Sequence, residues 1–165
     1  MSAHTDNSIV IEAPLDLVWQ MANDVESWPT LFVGEYAKGE VLERTSDRIV
    51  FRLTTVPEFS PHNDGKSYSW VSERVLDEEH HYVNARRVEL GPFRYMHIFQ
   101  SFENVPGGVR LRWVQNFEIR EGAPFTDEQM AARINHHSRE QLENHKRVIE
   151  EAARQRSATA GTPAA

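Results

Sequence analysis

The 165-residue sequence has no cysteine, so disulfides, thiolate nucleophiles and cysteine-ligated metals are excluded from its chemistry. It has no excess of basic charge. Lysine and arginine number 18 against 25 aspartates and glutamates, a net charge of −7. A protein that grips phosphate backbones non-specifically needs a basic face, so nucleic acid is not an expected partner. No apolar run approaches the ~20 residues that cross a bilayer as a helix, and membrane insertion is not expected. The opening Met1-Ser2-Ala3-His4-Thr5-Asp6 has neither the basic nor the apolar part of a secretion signal, so a cytoplasmic location is expected. Internal repeats and linker-like stretches are also missing. The expectation is a single domain over 1–165, with an ordered core over about 5–155 and a flexible tail over 156–165.

What is present alternates between strand and helix signals. Hydrophobic residues make up 39% and charged residues 26%, a balance suited to a packed core. Residues 8–13 read as a strand. Pro14 follows where a first helical turn tolerates a missing N–H, and Leu15, Val18, Trp19 and Ala22 recur at helical spacing. Asp24 is placed to cap a second short helix that carries Trp28 and ends near Phe32, where Gly34 breaks it. Beyond Tyr36 the period becomes two. Strands are expected over 40–44, 48–53, 66–75, 81–90, 94–103 and 109–120, with a long loop over 55–66. The last strand alternates most clearly: Leu111, Trp113, Gln115, Phe117 and Ile119 share one face, and Arg110, Arg112, Asn116, Glu118 and Arg120 the other.

Thr126 or Asp127 then caps a helix expected to reach about Arg154, with Glu128 in its first turn. Its inward stripe of Met130, Ile134, His137, Gln141, His145 and Val148 is semi-polar. A helix against a dry core would carry more leucine and isoleucine there. The expected class is α+β: about seven antiparallel strands around one long C-terminal helix, two short helices closing one end, and a cavity between sheet and helix.

Several segments resemble, in order, the single-domain aromatase/cyclases of bacterial type II polyketide synthases, of the tetracenomycin and spore-pigment type. They are Thr5-Asp6-Asn7-Ser8-Ile9-Val10, Asn23-Asp24 with Trp28-Pro29, Trp70-Val71-Ser72 with Arg74, and Arg87-Val88-Glu89. Gly91-Pro92-Phe93 with Tyr95-Met96, Arg112-Trp113-Val114-Gln115 with Phe117, and Gly122-Ala123-Pro124-Phe125 complete the set. The likeness spans about 5–149 and implies the helix-grip fold of Bet v 1 and START domains. It further implies a reaction on a carrier-bound poly-β-ketone. The cavity folds the chain, an intramolecular aldol closes the first ring between C9 and C14, and dehydration aromatises it without a cofactor. The implied partners are an acyl carrier protein and a ketosynthase/chain-length factor, with the cyclase itself a monomer or weak dimer.

This chemistry needs an oxygen-holding cation, a proton carrier and flat walls. Arg74 is the candidate for the first, sharing a strand face with Trp70 and Ser72. Tyr36 is the candidate proton carrier, its pKa expected to be lowered by a nearby arginine. Gln115, an amide on an apolar face, either bonds locally or meets substrate. Of the neighbouring Arg86 and Arg87, the resemblance favours Arg87 as inward-facing. Trp28, Phe32, Phe93, Met96 and Trp113 join Trp70 and Ser72 as walls, faced by Met130, Ile134, Ser138 and Gln141 of the helix. The pairs His80-His81 and His136-His137 are not expected to chelate, and no metal site is expected.

Two departures from the resemblance stand out. The 55–66 loop is long, and Gln100 occupies a position where a bulky aromatic is expected, which would leave a roomier pocket floor. Arg94, Arg110, Arg112 and Arg120 offer a local basic patch for an acidic carrier protein. The rival readings are a non-catalytic carrier of a lipid or other hydrophobic ligand, and a chaperone-binding domain. The first has no need for Arg74, Tyr36 and Gln115 to converge; the second has no need for a deep cavity.

Overall fold

The computed structural model describes residues 2–60 and 64–160; Pro61, His62 and Asn63 of the long loop and the last five residues lie outside them. Seven antiparallel strands form one sheet. They are β1 (Ala3–Ile11), β2 (Tyr36–Arg44), β3 (Arg48–Thr55), β4 (Ser69–Asp77), β5 (Tyr82–Arg87), β6 (Phe93–Val105) and β7 (Gly108–Ile119), in the spatial order β1-β7-β6-β5-β4-β3-β2. All but β1 therefore follow one another as a meander. β1 joins beside β7, with Thr5 opposite Gln115 and Ile11 opposite Val109.

The described residues also hold three α-helices: α1 (Leu15–Asn23), α2 (Trp28–Leu31) and α3 (Asp127–Ala160). Pro14 sits just outside α1 as its N-cap, and its carbonyl accepts the Leu17 and Val18 amides. The segment expected to be one second helix is divided into a 3-10 turn, Val25–Ser27, and the short α2. The Asp24 carboxylate accepts the Ser27 hydroxyl at 2.6 Å, not a helical amide. β2 runs close beneath the 3-10 turn, and only glycine fits there: a Cβ on Gly39 would lie 2.3 Å from the Val25 carbonyl oxygen.

α3 is the spine. Thr126 and Gln129 form a reciprocal capping box, amide to side chain in both directions. The helix continues past the expected stop near Arg154, to Ala160, and Arg156 in this extension bonds to Asp16 of α1 at 2.8 Å. Polar staples fix α3 against β1. Asn7 donates to Asn135, Arg139 to Asn7, and Lys146 to the Val10 carbonyl.

The apolar residues divide into two packed groups. A large one gathers Ile11, Val18, Val25, Ile49, Leu111, Leu142 and Ile149 around α1 and the second half of α3. A small one joins Phe93, Met96, Phe117 and Met130 at the other end. The semi-polar stretch of α3 from Ile134 to Gln141 spans the space between them. That division explains the stripe: the second half of the helix meets dry core, whereas the first half faces a hollow.

Candidate active site

The hollow is a cavity of about 320 Å³ between the concave face of the sheet and α3. Its lining is mostly apolar and aromatic, with a small set of convergent polar groups, as in small-molecule sites generally. All the side chains assigned from the sequence to catalysis or to the walls border it. β4 contributes Trp70, Ser72 and Arg74 by strict alternation. α2, the loop after it and the first residue of β2 add Trp28, Phe32 and Tyr36. β5 and β6 supply Arg87, Phe93 and Met96, and β7 supplies Trp113 and Gln115. Met130, Ile134, Ser138 and Gln141 close the opposite wall from α3.

Arg74 has the most telling environment. Only 3% of its surface is exposed. Its Nη2 donates to the side-chain oxygens of Asn23 at 2.9 Å and Gln100 at 3.0 Å, and Nε also reaches Asn23 at 3.3 Å. Both acceptors are neutral amides. Among the described residues no carboxylate pairs with this guanidinium, and Nη1 makes no hydrogen bond. The cation lies over the Trp28 ring, 5.1 Å from its centroid. Burial pulls the Arg74 pKa down to about 10, so the group stays charged at neutral pH. An unpaired buried charge is costly to a fold, and an anionic oxygen entering the cavity would offset that cost.

Asn23 and Gln100 had no assigned role in the sequence. Asn23 is the last residue of α1, its amide nitrogen anchored on the Trp19 carbonyl at 2.9 Å. Gln100 faces inward opposite Trp113. At the position where a bulky aromatic was expected, an amide oxygen is aimed at Arg74.

Arg87 does face inward, as the resemblance implies. It stacks over Trp70 at 4.4 Å and Phe93 at 5.2 Å, and its Nε donates to the Glu89 carbonyl at 3.0 Å. Burial lowers its pKa to about 10. Gly91 gives it room: at φ 57° a Cβ there would stand 3.0 Å from Nη2. Arg86 points outward to Glu73.

Tyr36 corrects one expectation. Its pKa is raised well above 10, not lowered. Burial dominates, and the adjacent Glu35 carboxyl adds to it by charge and hydrogen bond; Arg87 and Arg74 oppose without prevailing. The phenol therefore keeps its proton and acts as a donor. Its ring packs between Trp28, Phe32 and Trp70.

Glu35 itself borders the cavity and was missed. Burial raises its pKa to about 7, against the Tyr36 hydroxyl and Arg133, which favour the carboxylate. Both Glu35 and Tyr36 retain some accessible area, but both border the hollow, which is why desolvation governs them. The signal for Glu35 was weak. Alternation along β2 sends it opposite to Tyr36, yet Glu35 is the last residue of the turn before the strand, where alternation does not hold.

Gln115 donates to the Ser138 hydroxyl at 3.0 Å across the cavity, and Gln141 donates to the Val33 carbonyl at 3.0 Å. Part of the long loop forms a strap. Phe59 reaches α3, where Arg133 lies over its ring at 5.1 Å and donates to its carbonyl at 2.8 Å; His137 packs beside it at 4.6 Å. His137 lines the cavity and is held below its usual pKa by burial and then by Arg133. The His136 and His137 rings are 5.2 Å apart. With Glu140 they bring three ligand atoms within 4.8 Å of one another, but His136 is mostly exposed and pairs with Glu140 at 3.5 Å. The four arginines expected to offer a basic patch each have a partner nearby. Arg112 is bound to Asp6, Arg94 lies near Glu118, Arg110 lies near Glu103, and Arg120 donates to the Gly91 carbonyl.

No helix among the described residues is long and apolar enough to cross a membrane. The sequence matches the family model described as "Polyketide cyclase / dehydrase and lipid transport" over residues 2–150. A Streptomyces cyaneus protein named "Putative polyketide cyclase" is 49% identical over 84% of this chain and 88% of its own length. In fold the chain is similar to the ZhuI aromatase/cyclase of Streptomyces sp. R1128, with a TM-score of 0.79 at 22% identity over 99% of this chain and 100% of that one. It is also similar to a START superfamily protein of Mycobacterium smegmatis, with a TM-score of 0.64 at 14% identity over 92% and 97% of the two chains. The seven-stranded sheet closed on α3 is thus a Bet v 1/START-like helix grip, and the chain belongs to the polyketide cyclase/dehydrase family.

Proposed function

We propose that this protein receives a poly-β-ketone from an acyl carrier protein loaded by a ketosynthase/chain-length factor. It would fold that chain in its cavity and catalyse the first-ring aldol closure, between C9 and C14, and the dehydration that aromatises the ring. The observation that carries this reading is Arg74: a buried cation held from one side by two neutral amides, with an amino group left for a ligand. An inert apolar cargo would leave that charge uncompensated. An enolate or alkoxide oxygen would satisfy it and would be stabilised most as charge develops.

The other lining groups have matching tasks. The flat faces of Trp28, Phe32, Trp70 and Trp113 suit a planar, enolised chain. Phe32 and Trp113 are stacked at 16° and 5.7 Å, a rigid wall against which one chain conformation is selected. Gln115 and Ser138, bonded to each other, can turn a donor to a carbonyl oxygen. Tyr36 donates a proton or hydrogen bond to the alkoxide. Each step is a proton transfer, a carbon–carbon bond formation or loss of water, so the sequence needs no redox cofactor. Holding one enolate carbon near one carbonyl contributes through proximity, ~7–11 kcal/mol at best.

The test is reconstitution. Adding the protein to a minimal synthase of ketosynthase, chain-length factor and carrier protein should convert a mixture of spontaneous cyclisation products into one first-ring regioisomer, read by chromatography and mass spectrometry. An unchanged mixture would refute the proposal.

A further inference from the structure

Resting on that reading, we propose that Glu35 is the proton acceptor of the cavity. Its carboxylate would take a methylene proton from the bound β-diketone while Arg74 holds the oxygen that receives the electron pair. The reaction described above needs a base, and the groups given a task in it do not provide one. Arg74 and Arg87 remain cationic, Tyr36 keeps its proton, and Gln115 does not titrate.

Glu35 borders the cavity beside Tyr36, at the end carrying Arg133 and His137. Its backbone is fixed on both sides: its amide donates to the Phe32 carbonyl at 3.1 Å, and its carbonyl accepts the Val56 amide at 2.9 Å. The charged and titratable groups that act on it are Tyr36 on its own segment, and Arg133 and Glu140 on α3; His137 borders the same cavity. Arg133 is itself anchored on the Phe59 carbonyl, so the cation stays near Glu35 without a bidentate grip that would quench it as a base. A carboxyl that titrates near neutrality is well matched to taking and returning a proton.

The step balances without a co-reactant. As the methylene C–H breaks, its proton goes to a Glu35 carboxylate oxygen, and its electron pair forms the enolate C=C. The carbonyl pair moves to the oxygen at Arg74. The enolate carbon then bonds to the chosen carbonyl carbon, whose π pair becomes an alkoxide. The alkoxide recovers the proton from Glu35, directly or through Tyr36, whose phenol Glu35 then reprotonates, and the carboxylate is restored. In dehydration a second methylene proton passes to Glu35, hydroxide leaves, and that proton leaves with it as water.

The experiment measures deuterium exchange of the methylene hydrogens of 1-phenylbutane-1,3-dione by NMR, corrected for buffer, from pH 5 to 9. The parent should accelerate exchange along a limb that rises through about pH 7, where Glu35 titrates, and then levels. Glu35→Gln should lose ~100-fold of the acceleration and the limb with it. Glu35→Asp should keep the limb at reduced rate, and it stands in if the Gln variant does not fold. Arg74→Ala should slow exchange but retain the limb. Exchange by E35Q at the parent rate and pH profile would overturn the assignment, as would a limb missing from the folded E35D. A parent that fixes ring position in the synthase yet never accelerates exchange would defeat Glu35 and leave the cyclase reading standing. A parent that exchanges through Glu35 but leaves the synthase products scrambled would defeat the cyclase reading alone.

Discussion

Replacing Arg74 with methionine should leave a folded protein whose first-ring closure falls by ~10²–10³-fold, the scale of losing one fixed oxyanion donor in a water-poor site. The substitution removes a buried positive charge that no carboxylate among the described residues pairs with. Its thermal midpoint should be unchanged or higher. Methionine fills similar volume against Trp28, and a charge buried without a carboxylate partner costs stability in the folded state. Asn23 and Gln100 lose a donor but face a cavity where water can replace it. Product analysis in the reconstituted synthase, alongside calorimetry, checks both halves. A variant that is much less stable and fully active would mean that Arg74 is structural. Lysine should rescue only in part, because a point charge cannot reproduce the planar fork that spans Asn23 and Gln100.

The second large effect is on acid stability. His145 is 1% exposed, donates from Nδ1 to the Gln141 carbonyl at 2.7 Å, and meets Phe32 and Trp113 edge to face. Burial pushes its pKa from 6.5 to about 3, with the charge of Arg74 adding to that. The folded state therefore prefers neutral imidazole. Its contribution is fully present above pH ~6.5 and is lost as pH falls toward 3, because the unfolded chain takes up the proton first. The full difference is roughly 5 kcal/mol. Glu35 acts with the opposite sign: its raised pKa makes the fold more stable as pH falls from about 7 toward its unfolded value of 4.5. Urea unfolding at a series of pH values should show the parent losing stability relative to His145→Gln by up to ~1.4 kcal/mol per pH unit below 6. Parallel pH dependences for the two proteins would contradict this role for His145.

Arg74 was placed at the cavity, and His145 on the inward stripe of the helix, by periodicity. Two-residue alternation put Trp70, Ser72 and Arg74 on one face of β4, and Trp113 and Gln115 on one face of β7. The semi-polar stripe from Met130 to Val148 of α3 indicated that the helix faced something other than packed core, and the structure limits the cavity-lining part to residues up to Gln141. Alternation says nothing about residues in turns, and Glu35 sits in one. Nor does it show which polar residues meet across the sheet. Asn23 and Gln100 are 77 positions apart in the chain, and only the fold brings both to Arg74. The sign of the Tyr36 shift was misread for a related reason. Proximity to arginine was foreseeable, whereas the depth of burial that outweighs it was not. The outer arginines have cross-strand carboxylates and a backbone carbonyl as partners, which a local reading does not show.

The most direct measurement is of charge preference inside the hollow. Quenching of tryptophan fluorescence should be titrated with 2-hydroxy-1,4-naphthoquinone, an acidic enol ionised at neutral pH, and with its uncharged methyl ether, for the parent and for Arg74→Met. The expected result is that the parent binds the anion at least ~10-fold more tightly, about 1.4 kcal/mol, and that R74M removes the preference. Equal affinities of the parent for the two ligands would show that the buried guanidinium does not serve an anionic oxygen, and the proposed catalysis would fall with it.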